Sequence, residues 1–272
     1  MYLTLHIQMI IGDYYKMIRR LTSGGFGQII LGMNILSQEN VAIKLESLDQ
    51  DTLTYEAKVL QKLSNIKGIP SLRYFGIKES RRFLVMDLLD KTLQSVAKQW
   101  HANAANAAFP LDNYMRQLFT LLQKVHDRGY LHRDIKPENI MVMESTSTIY
   151  LIDFGMSRCY YVDDARTHRP NSQRTSIVGT SRYVSANVHN GNEPSRRDDL
   201  ISIIYVAVYC AKCTLPWSHT NSLKQISDIK NAITPQHLCV EMPAHYALIL
   251  EYLTNLSYKD APNYEFILSH FK

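Results

Sequence analysis

Apolar residues recur along this chain with two periods, and the change of period divides it. Up to about residue 86, short β-type runs alternate with turn residues. Residues 14–21 and 29–33 flank a glycine-rich turn, and residues 41–45 and 82–86 form two further runs. One helical pattern interrupts them: over residues 51–64, Leu53, Ala57, Leu60 and Leu63 share a face, and Asp51 or Thr52 can cap its start. Further on, Met115, Leu118, Phe119, Leu122 and Val125 make a helical stripe over residues 114–128, which Gly129 stops. Residues 140–143 and 149–153 flank polar residues 144–148 and predict a β-hairpin. From Leu200 onward the pattern is helical, with Pro243 and Pro262 marking two late helix starts. The alanine-biased residues 102–108 read as a loop, and no internal repeat is present. These elements predict an α+β chain of two lobes: a small β-rich N-lobe with one helix over residues 12–86, a hinge over 87–90, and a larger, mainly helical C-lobe over 91–272. Residues 1–11 form an N-terminal extension, either an extra strand or the product of an upstream start with Met9 as initiator.

Chemistry concentrates in Leu131-His132-Arg133-Asp134-Ile135-Lys136-Pro137-Glu138-Asn139 and in Ile152-Asp153-Phe154-Gly155. Moving a phosphoryl group requires an oriented hydroxyl, a clamped triphosphate and cations on the developing charge. These residue types at this spacing resemble the catalytic centre of a protein kinase. Asp134 would accept the hydroxyl proton, Lys136 would sit on the γ-phosphate, and Asn139 and Asp153 would hold Mg2+ through hard oxygen ligands. Any one of them alone would be an ordinary solvated loop residue; together they make a centre. Such a centre needs two upstream elements, and both are present. Leu21-Thr22-Ser23-Gly24-Gly25-Phe26-Gly27-Gln28-Ile29 reads as a hairpin turn whose glycines let backbone N–H groups approach the phosphates of ATP. Its first glycine is replaced by Thr22, a β-branched residue expected to resist the backbone angle required there and to weaken nucleotide affinity. Val41-Ala42-Ile43-Lys44-Leu45 places a lysine on a strand, and Glu56 on the following helix is its expected partner.

Length and composition set limits. A chain of 272 residues that is 46% hydrophobic suits one two-lobed catalytic unit with a sizeable core. A net charge of +5 favours acidic or phosphorylated partners, whereas basic residues in pairs rather than tracts give no indication of nucleic-acid binding. The four cysteines Cys159, Cys210, Cys213 and Cys239 suggest a reducing compartment and no disulfide framework. Cys210 and Cys213 read as buried helix residues rather than zinc or redox ligands. The apolar stretch 200–211 is too short to span a bilayer, and the N-terminus lacks the flanks of a signal peptide.

Further strings are more specific. Asp164-Ala165-Arg166-Thr167-His168, Gly179-Thr180-Ser181-Arg182-Tyr183, Ser185-Ala186-Asn187, Ser195-Arg196-Arg197-Asp198-Asp199-Leu200 and Leu215-Pro216-Trp217 resemble the casein kinase I family of serine/threonine protein kinases, from about Gly12 to the C-terminus. The vaccinia-related kinases share part of the pattern. The resemblance implies a bilobal protein-kinase fold, ATP and Mg2+ as cofactors, and transfer to Ser or Thr, with which Lys136 and Thr180 fit. It makes Met86 the gatekeeper, with Asp87 and Leu89 offering backbone to adenine. Leu21, Gly24, Gly25, Phe26, Gly27, Ile29, Ala42, Lys44 and Glu56 complete the ATP-binding set. It also implies protein substrates with acidic or phosphorylated residues upstream of the target, read by Arg182, to which Arg174, Lys224 and Arg169 can add. The expectation is a monomeric intracellular enzyme, cytoplasmic or nuclear, that neither inserts in a membrane nor binds nucleic acid. A pseudokinase scaffold is the alternative from another class, although Lys44, Asp134, Asn139 and Asp153 are all kept. Departures from the family pattern are Ile204 for a glycine, Ala186 for an isoleucine, and a shorter, less basic segment after Trp217. The chain stops soon after Pro262-Asn263-Tyr264, so control by a C-terminal tail is not expected within it.

Overall fold

A computed structural model describes residues 9–24, 27–103 and 109–271 of the chain, with the backbone alone at 22–24 and 27. The alanine-biased loop therefore lies mostly outside the described residues, as do residues 1–8 of the N-terminal extension. The chain divides into two units. The smaller takes Met1–Asn65, Ile69–Asp90 and Asp153–Gly155, and the larger takes Ile66–Gly68, Lys91–Ile152 and Met156–Lys272. The smaller unit thus runs through the expected hinge and also takes in Asp153, whose carboxylate contacts Lys44.

The smaller unit is an antiparallel sheet of β1 (Ile10–Ile11), β2 (Tyr15–Gly24), β3 (Gly27–Asn34), β4 (Asn40–Ser47), β5 (Leu72–Lys78) and β6 (Arg81–Asp87), in the order β1-β2-β3-β4-β6-β5, with helix α1 (Thr52–Lys62). Part of the N-terminal extension is an ordered strand, and Ile11 is buried in the core. Strand alternation decides which residues meet which layer. Val41, Ile43 and Leu45 of β4 pack with Ile30, Phe83 and Val85 on one face. Ala42 and Lys44 therefore point to the other face, where their directly paired neighbours are Leu31, Ile29, Met86 and Leu84. Helix α1 does not start as expected. Asp51 occupies the N-cap position but makes no side-chain cap bond. The role falls to Glu46 of β4, which accepts from the Leu53 N–H at 3.0 Å and from the Thr52 hydroxyl. A carboxylate at a helix N-terminus stabilises the orphan N–H groups whichever strand delivers it.

The larger unit is mainly helical. Strand β7 (Lys91–Thr92) leads into α2 (Leu93–Ala102) and α3 (Leu111–Asp127), and then come β8 (Tyr130–Leu131), β9 (Ile140–Met143), β10 (Thr148–Leu151) and β11 (Arg158–Cys159). The predicted hairpin is β9–β10, with Ile140 opposite Leu151, and the Ile152 N–H bonds the Asn139 carbonyl just beyond it at 3.0 Å. Gly129 follows α3 with φ +84°, and a Cβ there would lie 2.8 Å from the Tyr161 ring, so both conformation and space call for glycine. Helices α4 (Ala186–His189), α5 (Arg196–Lys212), α6 (Leu223–Ala232), α7 (Pro235–Leu238), α8 (Ala244–Thr254) and α9 (Tyr264–Ser269) follow. Helix α5 is buried all along from Asp198 to Cys210, which explains its lack of a polar stripe. Its two cysteines differ. Cys210 is buried in the helix, whereas Cys213 is the half-buried C-cap in a left-handed conformation (φ 55°), because the chain turns there toward Leu215-Pro216. The α+β class, with a β-rich N-terminal region and a mainly helical C-terminal part, is as the sequence predicts.

Candidate active site

In the smaller unit, Lys44 Nζ lies 2.8 Å from Glu56 Oε2 and 2.8 Å from Asp153 Oδ1. The three meet because β4 aims Lys44 at α1, whose Glu56 is buried among Leu53, Ala57 and Leu60. Glu56 also accepts from the Phe154 N–H at 3.2 Å. Asp153 has φ +66°, a conformation costly for a residue with a Cβ, and its bond to Lys44 helps hold it there. Burial disfavours the Lys44 ammonium, but Glu56 and Asp153 outweigh it and hold the lysine above its ordinary pKa. Burial, with Asp153 nearby, raises Glu56 against the pull of Lys44, as expected when two carboxylates share one cation. Ile29, Ala42 and Met86 lie on the same sheet face as Lys44. Leu21 is an exposed residue of β2, Leu89 lies past β6, and the Asp87 carboxylate accepts from the Ser71 N–H at 2.8 Å and Arg73 Nε at 2.7 Å. Gly24 pairs with Gly27 at the tip of the β2–β3 hairpin, and Gly25 and Phe26 lie outside the described residues. Thr22 pairs with Ile29 inside β2. Its backbone is extended, a conformation that β-branched residues favour, so the expected strain at this position is corrected.

In the larger unit, Asp134 is the hub of a buried network. Its Oδ1 accepts from the Thr180 hydroxyl at 2.7 Å and the Thr180 N–H at 2.9 Å. Its Oδ2 accepts from Lys136 Nζ at 2.7 Å and Asn139 Nδ2 at 3.1 Å. Lys136, expected on the γ-phosphate, bonds Asp134 and, at 3.1 Å, the Thr180 hydroxyl. The Asn139 amide nitrogen also bonds the Asp134 carbonyl at 2.9 Å, which leaves the amide oxygen available as a hard donor. A carboxylate so surrounded is fixed in direction, which a proton acceptor requires.

Two features of this network escaped the sequence reading. Asp199, at the start of α5, accepts from the His132 and Arg133 N–H groups, both at 2.8 Å, and from His126 Nε2 at 3.1 Å. It thereby holds the loop ahead of Asp134, where Arg133 takes φ +70°. Gly179 packs so closely on this loop that a Cβ would lie 2.3 Å from the Arg133 carbonyl oxygen. The second feature is Glu193, a buried carboxylate with Arg158 at 2.5 Å, Arg174 at 2.9 Å and Arg133 at 3.7 Å. Burial works against its charge, but the Arg174 bond and the other guanidiniums hold its pKa below the usual range. Arg174 is therefore tied to Glu193 rather than free for a substrate anion. Arg169 bonds the Cys159 carbonyl through Nε at 2.9 Å. The Arg182 guanidinium has no hydrogen-bond or ion-pair partner among the described residues, and Lys224 is exposed on α6. The only sequence signals for the two missed acids were paired aspartates opening an apolar helix and a glutamate between Asn192 and Pro194.

Among the described residues no group of three or more His, Cys, Asp or Glu could hold a metal ion by itself. No helix of the described residues is long and apolar enough to cross a membrane. A family model described as "Protein kinase domain" matches residues 15–247. The chain belongs to that family. Membership makes it a phosphotransferase acting on protein substrates, and implies ATP and a divalent metal in general.

Proposed function

We propose that this protein kinase is a serine/threonine kinase of the casein kinase I type, with a preference for acidic or already phosphorylated sites. The observation that carries the reading is the pair of hydrogen bonds that Thr180 donates to Asp134 Oδ1, from its hydroxyl and its N–H, with Lys136 on the other oxygen. That arrangement aims one carboxylate at an incoming hydroxyl. The hydroxyl oxygen forms a bond to the γ-phosphorus of ATP as the bond from that phosphorus to the β,γ-bridging oxygen breaks, its proton passes to Asp134, and ADP leaves. Lys136, within reach of both Asp134 and Thr180, can compensate the charge that develops beside the base. Lys44, fixed and kept cationic by Glu56 and Asp153, suits contact with phosphate oxygens.

The donor set fits Mg2+, an ion bound through one or two protein oxygens together with substrate phosphates. Asp153 and Asn139 are the residues that would supply those oxygens. When bound, such an ion neutralises charge on the phosphates. The acidic-site preference rests on Arg182, whose planar guanidinium suits a phosphate, and on the exposed Lys224. The domain extent, residues 12–272 with hinge 87–90, belongs to the same proposal.

The test is ADP formation with magnesium and a casein-like protein, for the wild type and for Asp134→Asn. A general base contributes roughly 10²- to 10⁴-fold, so the variant should lose turnover by about that factor while binding ATP nearly as well. Undiminished turnover in Asp134→Asn would overturn the assignment, and an inactive wild type would favour a scaffold. A peptide library with and without phosphoserine three positions upstream tests the preference, and equal rates on both would sink it.

A further inference from the structure

Between Thr180, which bonds Asp134, and Ser185, which caps α4, three backbone carbonyls turn inward to one cluster. Lys230 Nζ donates to Ser181 O at 2.8 Å and to Val184 O at 2.6 Å. His189 Nε2 donates to Ser181 O at 2.9 Å, and Trp217 Nε1 to Arg182 O at 2.8 Å. Lys230 is 5% exposed, and its Nζ lies 4.7 Å from the Trp217 ring centroid and 5.1 Å from that of Tyr205. No carboxylate pairs with it among the described residues, and burial pushes its pKa down to about 6. A buried lysine without an acid is costly compared with an apolar side chain of the same length. Its presence calls for a gain elsewhere, and the gain is in what it holds.

We propose that Lys230 is a positioning residue for the protein substrate: by tying the Ser181 and Val184 carbonyls it fixes the backbone from Thr180 to Val184, and with it the Thr180 bond to Asp134 and the exit direction of the Arg182 side chain. The segment is short enough for this to work. The Tyr183 and Val184 N–H groups both bond the Thr180 carbonyl, at 2.8 and 3.1 Å, so Val184 cannot shift without disturbing Thr180. The tie does not depend on the charge of the lysine, since a neutral amine keeps the two N–H donors that the two carbonyls need. The inference rests on the reading above of Asp134 as base and Arg182 as anion reader.

The experiment compares wild type, Lys230→Met and Trp217→Phe with magnesium-ATP and a peptide carrying phosphoserine three positions upstream of the target. Lys230→Met keeps the length of the stem and removes the donors. Its KM for peptide should rise about tenfold, the scale of one or two lost hydrogen bonds, with KM for ATP within about twofold. Its Tm should hold or rise, because a buried amine has been removed. An unchanged peptide KM in folded Lys230→Met overturns the proposal. So does a joint worsening of peptide KM, ATP KM and Tm, which would mark a merely structural role. If Lys230→Met does not fold, Trp217→Phe decides: loss of its one bond to Arg182 should raise peptide KM about threefold at constant ATP KM, and no rise overturns the proposal. An inactive wild type defeats the proposed function and this inference together, whereas an active wild type with unaltered variants defeats this inference alone.

Discussion

Replacing Thr180 by valine keeps the volume of the side chain and removes one hydroxyl. That hydroxyl donates to Asp134 Oδ1 at 2.7 Å and accepts from Lys136 Nζ at 3.1 Å. A hydrogen bond to a charged group is worth about 1.5–3 kcal/mol, and each 1.36 kcal/mol is a factor of ten in rate. The upper limit for the loss is therefore about 150-fold. The Thr180 N–H still bonds the same carboxylate oxygen at 2.9 Å, and Lys136 still holds the other at 2.7 Å. The proposed base thus keeps most of its anchoring, and the expected fall in kcat is about tenfold, well short of that for Asp134→Asn. The KM for ATP should stay within about twofold, because the main bond lost is the one to Asp134, the proposed base. Thr180→Ser restores the donor and should recover activity to within about threefold. Steady-state kinetics with an unphosphorylated peptide at saturating magnesium-ATP provide the assay. Full activity in Thr180→Val would show that the bond contributes nothing to the reaction, and a serine variant as impaired as the valine one would show that the methyl group, not the hydroxyl, matters.

Arg182→Ala should raise KM for a phosphoserine-primed peptide about ten- to a hundredfold and that for the unprimed peptide much less, with the difference eroded by salt; equal losses on both would refute the anion reading. Thr22→Gly should leave KM for ATP unchanged or raise it, because Thr22 is already extended in β2 and glycine only loosens the free strand; a lowered KM in nucleotide titrations would restore a steric role for Thr22. Glu193→Gln leaves three guanidiniums around a neutral amide and should cost about 2–3 kcal/mol at pH 7, a fall in Tm of about 5–10 °C for a chain of this size. The folded pKa of Glu193 is depressed, so its contribution is complete above the unfolded value of 4.5 and is lost as pH falls through the folded one. The gap between wild type and Glu193→Gln should therefore shrink below about pH 4.5, and a gap that widens in acid would contradict this.

Legibility in the sequence followed the range of the interactions. The strands and helices around Lys44, Glu56 and Asp134 could be read from spacing, because apolar periodicity is local and each motif lies within a few residues. The cap of α1 could not, because Glu46 comes from another strand and lies six residues before Thr52. Arg174 looked like a free cation until Glu193, nineteen residues later, was placed beside it. Lys230 left one faint trace: it lies four residues after Ile226, and these two are the buried residues of α6. The spacing alone went unread, and only the carbonyls of residues 181 and 184, more than forty residues earlier, show why a lysine is there. Thr22 failed for the opposite reason: a motif position was given a conformation that the strand pairing does not require.

Asp198 and Asp199 show how far sequence neighbours can diverge once folded. Both are buried, and both open α5. Desolvation raises Asp198 despite its bonds to Ser185 and Ser195, so its carboxyl is held less firmly as an anion. For Asp199 the same desolvation is outweighed by His126, His132 and backbone N–H groups, and its pKa is lowered. The difference follows from the partners: Asp198 meets mostly hydroxyls and the N–H of its own capping box, whereas Asp199 receives two backbone N–H groups from a loop more than sixty residues earlier. An anion that cannot be neutralised cheaply is a firm anchor. The anchor sits at a left-handed residue, Arg133 with φ +70°, one residue before the carboxylate on which the proposed chemistry depends. Helix α5, buried from Asp198 to Cys210, therefore shares in maintaining the conformation of the loop, beside bonds within it such as that from Asn139 Nδ2 to the Asp134 carbonyl.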